Sequence, residues 1–393
     1  MFFETLLKKI VGSYIAFKEH VTNGFLLYFV HSENGGLRVP AKIWKVDPSD
    51  PDPRAIEEAA SILKSGGVVA FPTETVYGLG AIYNLVEAVK KVFQAKRRPM
   101  DNPLILHVSS FSQVSELAVD IPVEVHELAK RFWPGPLTIV LPKSARVPRE
   151  VTGGLGKVAI RMPAHNVALK LIEAAGAPIA APSANLSGRP SPTTAQHVIE
   201  DLGDAIDGIL DAGETLYGVE STVIDLTSRP PVLLRPGSMP VEEIEKVLGV
   251  KIFIPVFARG LGEAEKAVAP GTKYQHYSPR ATLILVEGKD VINIEKVVAK
   301  IRELATYHLG SGKKVGILCT DETRDRYLDL PAEVISLGSR RDFFQLAKRL
   351  YPSLRTLDSK NVDIILAEPV EERGLGLAIM NRLRKASSQR ILV

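Results

Sequence analysis

The chain has 393 residues, 49 basic against 45 acidic, and a formal net charge of +4. That length suits two domains, and 45% hydrophobic with 24% charged residues lets both fold around real cores. The charge excess is too mild for a chain built as a nucleic-acid stripe. The single cysteine, Cys319, excludes internal disulfides and CxxC motifs, and no apolar run approaches the ~20 residues that span a bilayer. A reducing, cytoplasmic compartment is expected from that cysteine usage and from the lack of a signal-peptide layout near the start.

Residues 1–36 read as an amphipathic helix ("FFETLLKKIVGSYIAF") and a short apolar strand ending in "ENGG". They form an appendage, here bounded at residue 40. "DPSDPDP" then breaks the chain with prolines, and "RAIEEAASILKSGG" predicts a helix stopped by Gly66-Gly67. "VVAFPTETVYGLGA" is a buried strand running into a Pro/Thr/Gly loop, and "LVEAVKKVFQAKRR" a helix whose closing cations suit its dipole. "PLILHV" is a strand, and "EVHELAKRFWPGPLTIVL" a helix, a corner and a strand. "KVAIRMP", "APIAAPSAN", "GVESTVIDLT" and "VLLRPGS" add short strands that deliver polar loops at their ends. Strands outnumber a simple βαβ alternation, so a mixed, twisted α/β sheet is expected over residues 41–250. Residues 251–280 are irregular, as functional loops and linkers are. Residues 281–393 then read as a near-regular βαβ series: "TLILVEG", helix 292–309, "KVGILCT", "EVISLG", helix 340–357, "VDIILAEP", helix 376–387 and "RILV". That is a smaller, Rossmann-like parallel α/β domain.

Several loops are too polar for the strands they leave. Lys96, Arg97 and Arg98 crowd one turn, and Arg98 precedes a proline, which pushes it to extended geometry. Any single cation run is most simply a solvated helix end, but Asn102 and the strand-end His107 follow at once. Arg offers phosphate a planar fork and Lys a compact charge. Thr73, Glu74, Thr75 and Tyr77 occupy the next such loop, and "APSANLSGRPSPTT" a third whose amides and hydroxyls suit phosphate oxygens. Arg161, Arg189 and Arg235 stand in or beside apolar strands. Cations converging at strand ends imply one crevice for a small polyanion. A P-loop is excluded, since "LGSGKKVG" lacks the first glycine and the Ser/Thr, and "GLG" at Gly374 lacks a third glycine. The eight histidines show no metal spacing, and no Ser-His-Asp or thiol nucleophile is evident.

In order along the chain, "VVAFPTETVYGLGA", "KRRPMDNPLILH", "WPGPLT", "VAIRMPAH", "APIAAPSANLSGRPSPT", "GVESTVIDL" and "LLRPGS" closely resemble the YrdC/Sua5 family of L-threonylcarbamoyladenylate synthases. The resemblance runs over residues 43–393, including "APGTKYQHYSPR" and a C-terminal Sua5 domain. It implies a YrdC-like sheet followed by the Rossmann-like domain, and a reaction in which L-threonine, bicarbonate (or CO2) and ATP give threonylcarbamoyl-AMP, pyrophosphate and water. The product would feed a downstream machinery that makes N6-threonylcarbamoyladenosine at position 37 of tRNA. By motif, Thr75, His107, Arg161, Ala181 and Ser221 would hold L-threonine. Lys96, Arg98, Asn102, Lys157, Ser183, Ser191 and Arg235 would hold ATP, with Lys96 and Arg98 as the catalytic cations. The linker would bring Tyr274 or Tyr277 to the nucleotide. Lys157 stands where relatives often have threonine, so only a backbone contact would survive there. Mg2+ would be held mainly through the phosphates, with no protein metal site. Arg98→Ala is expected to abolish the reaction at little cost in stability, as for a surface loop. An RNA-binding module without catalysis is the alternative; it predicts steep salt dependence and no need for ATP, and weak RNA binding is compatible with the enzyme.

Overall fold

The computed structural model describes residues 41–262, 264–265, 267, 269, 276–288 and 293–393, with backbone strands also at 20–22, 25–27, 30–31 and 37–38. The helix expected near the start and Tyr274 lie outside the described residues.

Local signals set the element ends. The helix Pro53–Lys64 starts where the Asp52 carboxylate accepts from the Arg54 amide, with proline in its first turn. It buries Ala55, Ile56, Ala59, Ala60 and Leu63, one face at helical spacing. Thr194 caps the helix Ala195–Leu202 and Asn293 caps Ile294–Gly310 in the same way. The helix Val86–Lys96 ends differently, with Arg97 in the left-handed region at φ 52°. That conformation is uncommon outside glycine, and it turns the chain sharply between Lys96 and Arg98.

Ten strands form one mixed sheet, in the spatial order 232–235, 222–225, 137–142, 157–161, 105–107, 179–181, 78–82, 69–71, 208–211, 42–45. Its central strands are buried on both faces, as the runs "GLGAI" and "ILH" require. The register matters more than the order. His107 lies opposite Arg161 on a parallel neighbour, and Ala181 lies opposite Ile105 on an antiparallel one. Ser183 bridges to Gly78, and Arg235 pairs with Val223, two residues beyond Ser221. Strand pairing thus brings segments far apart in sequence to one end of the sheet.

The second sheet is all parallel, in the order 333–336, 315–319, 364–367, 282–287, 389–392. Helices Ile294–Gly310, Phe343–Ser359 and Leu375–Ala386 cover it, close to the spans expected from the sequence. Among the described residues, no helix is long and apolar enough to cross a membrane.

Candidate active site

One crevice opens at the strand ends. Thr75, Arg98, His107, Arg161, Ala181, Ser183, Ser221 and Arg235 all line it, together with His276 and Tyr277 from the linker. Eight of the motif candidates and one of the two linker tyrosines therefore meet in one place.

Arg98 is buried at 9% exposure. Its Nε donates to the Asn102 carbonyl (3.1 Å), and Nη2 donates to Asn102 Oδ1 (2.6 Å) and the Pro103 carbonyl (2.9 Å). Asn102 does not line the crevice; its part is to hold Arg98. This also corrects the expected stability effect, because the group is packed into a buried polar turn rather than exposed on a loop.

Arg161 is 3% exposed. Nη1 donates to Thr75 Oγ1 (2.9 Å), Nε donates to the Gly135 carbonyl (3.3 Å), and Nη2 lies 2.6 Å from Glu74 Oε2. Thr75 Oγ1 also meets Thr73 Oγ1 at 2.8 Å. His107 Nδ1 sits 3.2 Å from the Ile105 carbonyl. Burial, reinforced by Arg161, pushes the pKa of His107 down to about 3, so the imidazole is neutral. On the far wall, Ser221 Oγ is 2.8 Å from Thr138 Oγ1 and accepts from Arg235 Nη2 (3.2 Å). Arg235 also donates to the Ser221 carbonyl. A side chain at Gly237 would put its Cβ 2.3 Å from the backbone of Glu220, Ser221 and Thr222. Glycine is what lets "RPGS" approach "ESTV".

Besides Asn102, three candidates lie off the crevice. Lys96 is the main correction. It is 1% exposed, and its ammonium donates to the carbonyls of Ser183 and Asn185. Burial, then Arg98, lowers its pKa well below the ordinary lysine range. The reason was present in the helix, since Val89, Val92, Phe93 and Lys96 share its core face. The three cations of the turn thus part company: Lys96 pins the 183–185 loop, Arg97 points to solvent, and Arg98 enters the crevice. Lys157 Nζ pairs with Asp225 Oδ2 (2.8 Å) outside the crevice. Ser191 Oγ donates to Glu220 Oε1 (2.5 Å) and reaches the site only through that carboxylate.

Two carboxylates had no role in the sequence reading of the site, Glu74, noted there only as a loop residue, and Glu220; they are 3% and 5% exposed. Carboxylates are almost never buried unless paired, so an acid inside "FPTETV" or "GVESTV" was itself a signal. Burial raises the Glu220 pKa, but Arg382 and Arg235 outweigh it and hold the group at about 2. No cluster of three metal-ligating side chains occurs among the described residues.

Buried guanidinium groups facing neutral hydroxyls in one crevice form an anion-binding site of the kind used for phosphoryl or nucleotidyl transfer. The Sua5/YciO/YrdC family profile, described as telomere recombination, matches residues 61–237. The profile described as the C-terminal domain of threonylcarbamoyl-AMP synthase matches residues 239–388. The chain is 55% identical over 338 residues to the threonylcarbamoyl-AMP synthase of Pyrococcus abyssi, covering 86% of this chain and 95% of that one. It is 46% identical over 359 residues to that of Bacillus subtilis, covering 89% and 99%. The crystal structure of P. abyssi Sua5 complexed with L-threonine superposes with a TM-score of 0.83 at 54% identity, covering 89% of this chain and 99% of that one. The chain belongs to the Sua5-type family of threonylcarbamoyl-AMP synthases.

Proposed function

We propose that the chain makes L-threonylcarbamoyl-AMP from L-threonine, bicarbonate (or CO2) and ATP, releasing pyrophosphate and water, for the threonylcarbamoyl modification of tRNA. The observation that carries this reading is the meeting of Arg98, Arg161, Ser183 and Arg235, from four distant segments, around one crevice. In this reading Arg161 receives the threonine carboxylate, and Thr75, the neutral His107 and Ser221 face the rest of the amino acid. A neutral imidazole here can accept a hydrogen bond from the substrate without repelling Arg161. Protonated bicarbonate loses water to give CO2, the threonine amine adds to that CO2 and releases a proton to solvent, a carbamate oxygen attacks the α-phosphorus, and pyrophosphate leaves with the bonding pair. The chain's residues position the reactants and offset developing charge. Arg98 and Arg235 face the phosphates, and Ser183 holds an oxygen at the loop that Lys96 pins. ATP enters as its Mg2+ complex, because Glu74 and Glu220 are both engaged by arginine and offer the metal no ready ligand. Tyr277 lines the crevice and is the linker tyrosine we assign to the nucleotide.

The test is direct. Purified protein with all three substrates should release pyrophosphate and form an AMP adduct, and omission of any one substrate should stop both. Glycine should replace threonine poorly, because a site that hydrogen-bonds a hydroxyl rejects analogues lacking it, and serine, which lacks only the methyl, should be disfavoured less. Adduct formation that ignores the amino acid would overturn the assignment of the Thr75 wall.

A further inference from the structure

The second domain meets the first through charged side chains that are buried. Arg382, on the helix Leu375–Ala386, is fully buried, and Arg355, on Phe343–Ser359, is 6% exposed. Arg382 donates through Nε (3.0 Å) and Nη2 (2.8 Å) to Glu220 Oε2, and through Nη1 to the Pro236 carbonyl (2.6 Å). The Tyr351 hydroxyl lies 3.1 Å from both Glu220 oxygens. Arg355 donates to both oxygens of Asp201 (3.2 and 2.8 Å) and to the Pro190 carbonyl (2.6 Å).

Three of the four acceptors fall one residue from a candidate site residue. Pro190 precedes Ser191, Pro236 follows Arg235, and Glu220 precedes Ser221. Asp201 in turn accepts from the Leu186 amide and from Arg189, inside the loop that presents Ser183. The backbones also touch, because a Cβ on Gly218 (φ +75°) would fall 2.6 Å from Lys348 Cα. Buried ion pairs are weak evidence for stability, since apolar groups of like shape often do as well. What they supply is a fixed geometry, as a planar fork has one good arrangement.

We propose that the second domain is a working part of the active site, with Arg382 acting through Glu220 as a positioning residue for Ser191, Ser221 and Arg235. This rests on the reading of the crevice as the threonine and nucleotide site. Glu220 is the junction: it takes Ser191 from the first domain, Arg382 and Tyr351 from the second, and has Arg235, Tyr277 and His276 as further charged or titratable neighbours. Its carboxylate is ionised as it accepts from Ser191, Tyr351 and Arg382 together.

The experiment compares wild type, Arg382→Met, Glu220→Gln, their double variant and Tyr351→Phe in pyrophosphate release, with melting temperature and circular dichroism recorded alongside. Arg382→Met should lower kcat by about 100-fold, the scale of an ångström-level misplacement, in protein that remains folded at the assay temperature. Without Arg382, Glu220 titrates at higher pH, so the variant gains an acid limb in its pH profile that wild type lacks; Glu220→Gln removes that limb. The double variant should lose no more than the worse single one. Tyr351→Phe deletes one hydroxyl and keeps the reading testable if Arg382→Met does not fold; kcat should drop a fewfold. Wild-type activity with unchanged kcat in folded Arg382→Met or Tyr351→Phe, or multiplying losses in the double variant, would overturn the inference and spare the functional assignment. An inactive wild type would sink that assignment instead.

Discussion

The two domains both bury charge at strand ends, yet they use it differently. In the second, Glu368 accepts from Tyr327 (2.7 Å), Thr320 (3.2 Å) and Arg340 (2.8 Å), so both carboxylate oxygens are met and, of the cluster, Arg340 Nε is left without a hydrogen bond. In the first, Arg161 Nη2 and Glu74 Oε2 have only their mutual ion pair (2.6 Å), Glu74 Oε1 and His276 Nε2 are buried without a hydrogen-bond partner, and Arg98, Arg161 and Arg235 line open space. A closed network specifies a core, whereas a partly met one marks where a ligand completes the pairing. The difference in satisfaction, and not in the amount of buried charge, separates scaffold from site.

The comparison can be broken by removing one charge from each domain. Arg98→Ala should lower adduct formation by at least ~100-fold. It should also cost about 1–3 kcal/mol in urea unfolding, because the Asn102 and Pro103 carbonyls lose their buried donor. Glu368→Gln should cost a similar ~1–3 kcal/mol while leaving the KM for ATP and threonine unchanged. A KM shift there would mean that the second domain's own cluster is coupled to the crevice.

Acid sharpens the same contrast. His107 and His276 titrate at about 3 against 6.5 in the unfolded chain, chiefly because they are buried. The unfolded chain therefore takes up those protons first. The stability that depends on keeping them neutral is complete above pH 6.5 and falls as pH drops toward 3, by about 1.4 kcal/mol per pH unit for each histidine. Glu220, lowered to about 2 from 4.5, adds its own loss only below pH 4.5. Urea titrations at pH 7, 5.5 and 4.5 should show the decline already at 5.5, and His107→Gln should flatten it by one histidine's share. The smallest effect is expected from Lys157→Thr. Its side chain is 44% exposed and paired with Asp225, so stability should move by less than ~1 kcal/mol, with ATP KM within about twofold. A larger KM change would place that side chain on the nucleotide.

Much of the site was legible as loops, because "FPTETVYG", "APSANLSG", "ESTV" and "RPGS" each leave an apolar strand with polar groups nothing local can satisfy. The allocation of individual side chains was not. Lys96 occupies a core position of its helix, and Arg382 follows Ile379 by three on the buried face of another. Helical periodicity flags both as buried cations, but it cannot name the carbonyls or carboxylates that receive them. Glu74 and Glu220 were hidden in plain motifs, since their partners lie 87 and 162 positions away.

Strand and helix spans, caps, the two-domain division and the set of polar loops follow from local pattern: periodicity, proline and glycine act within a few residues. Which cation faces the crevice, which carboxylate pairs across the domain boundary and which hydroxyl meets which guanidinium depend on register between strands such as 105–107 and 157–161. Hydrogen bonds and ion pairs form over about 3 Å, so a group's role is decided only when folding brings its distant partner within that reach.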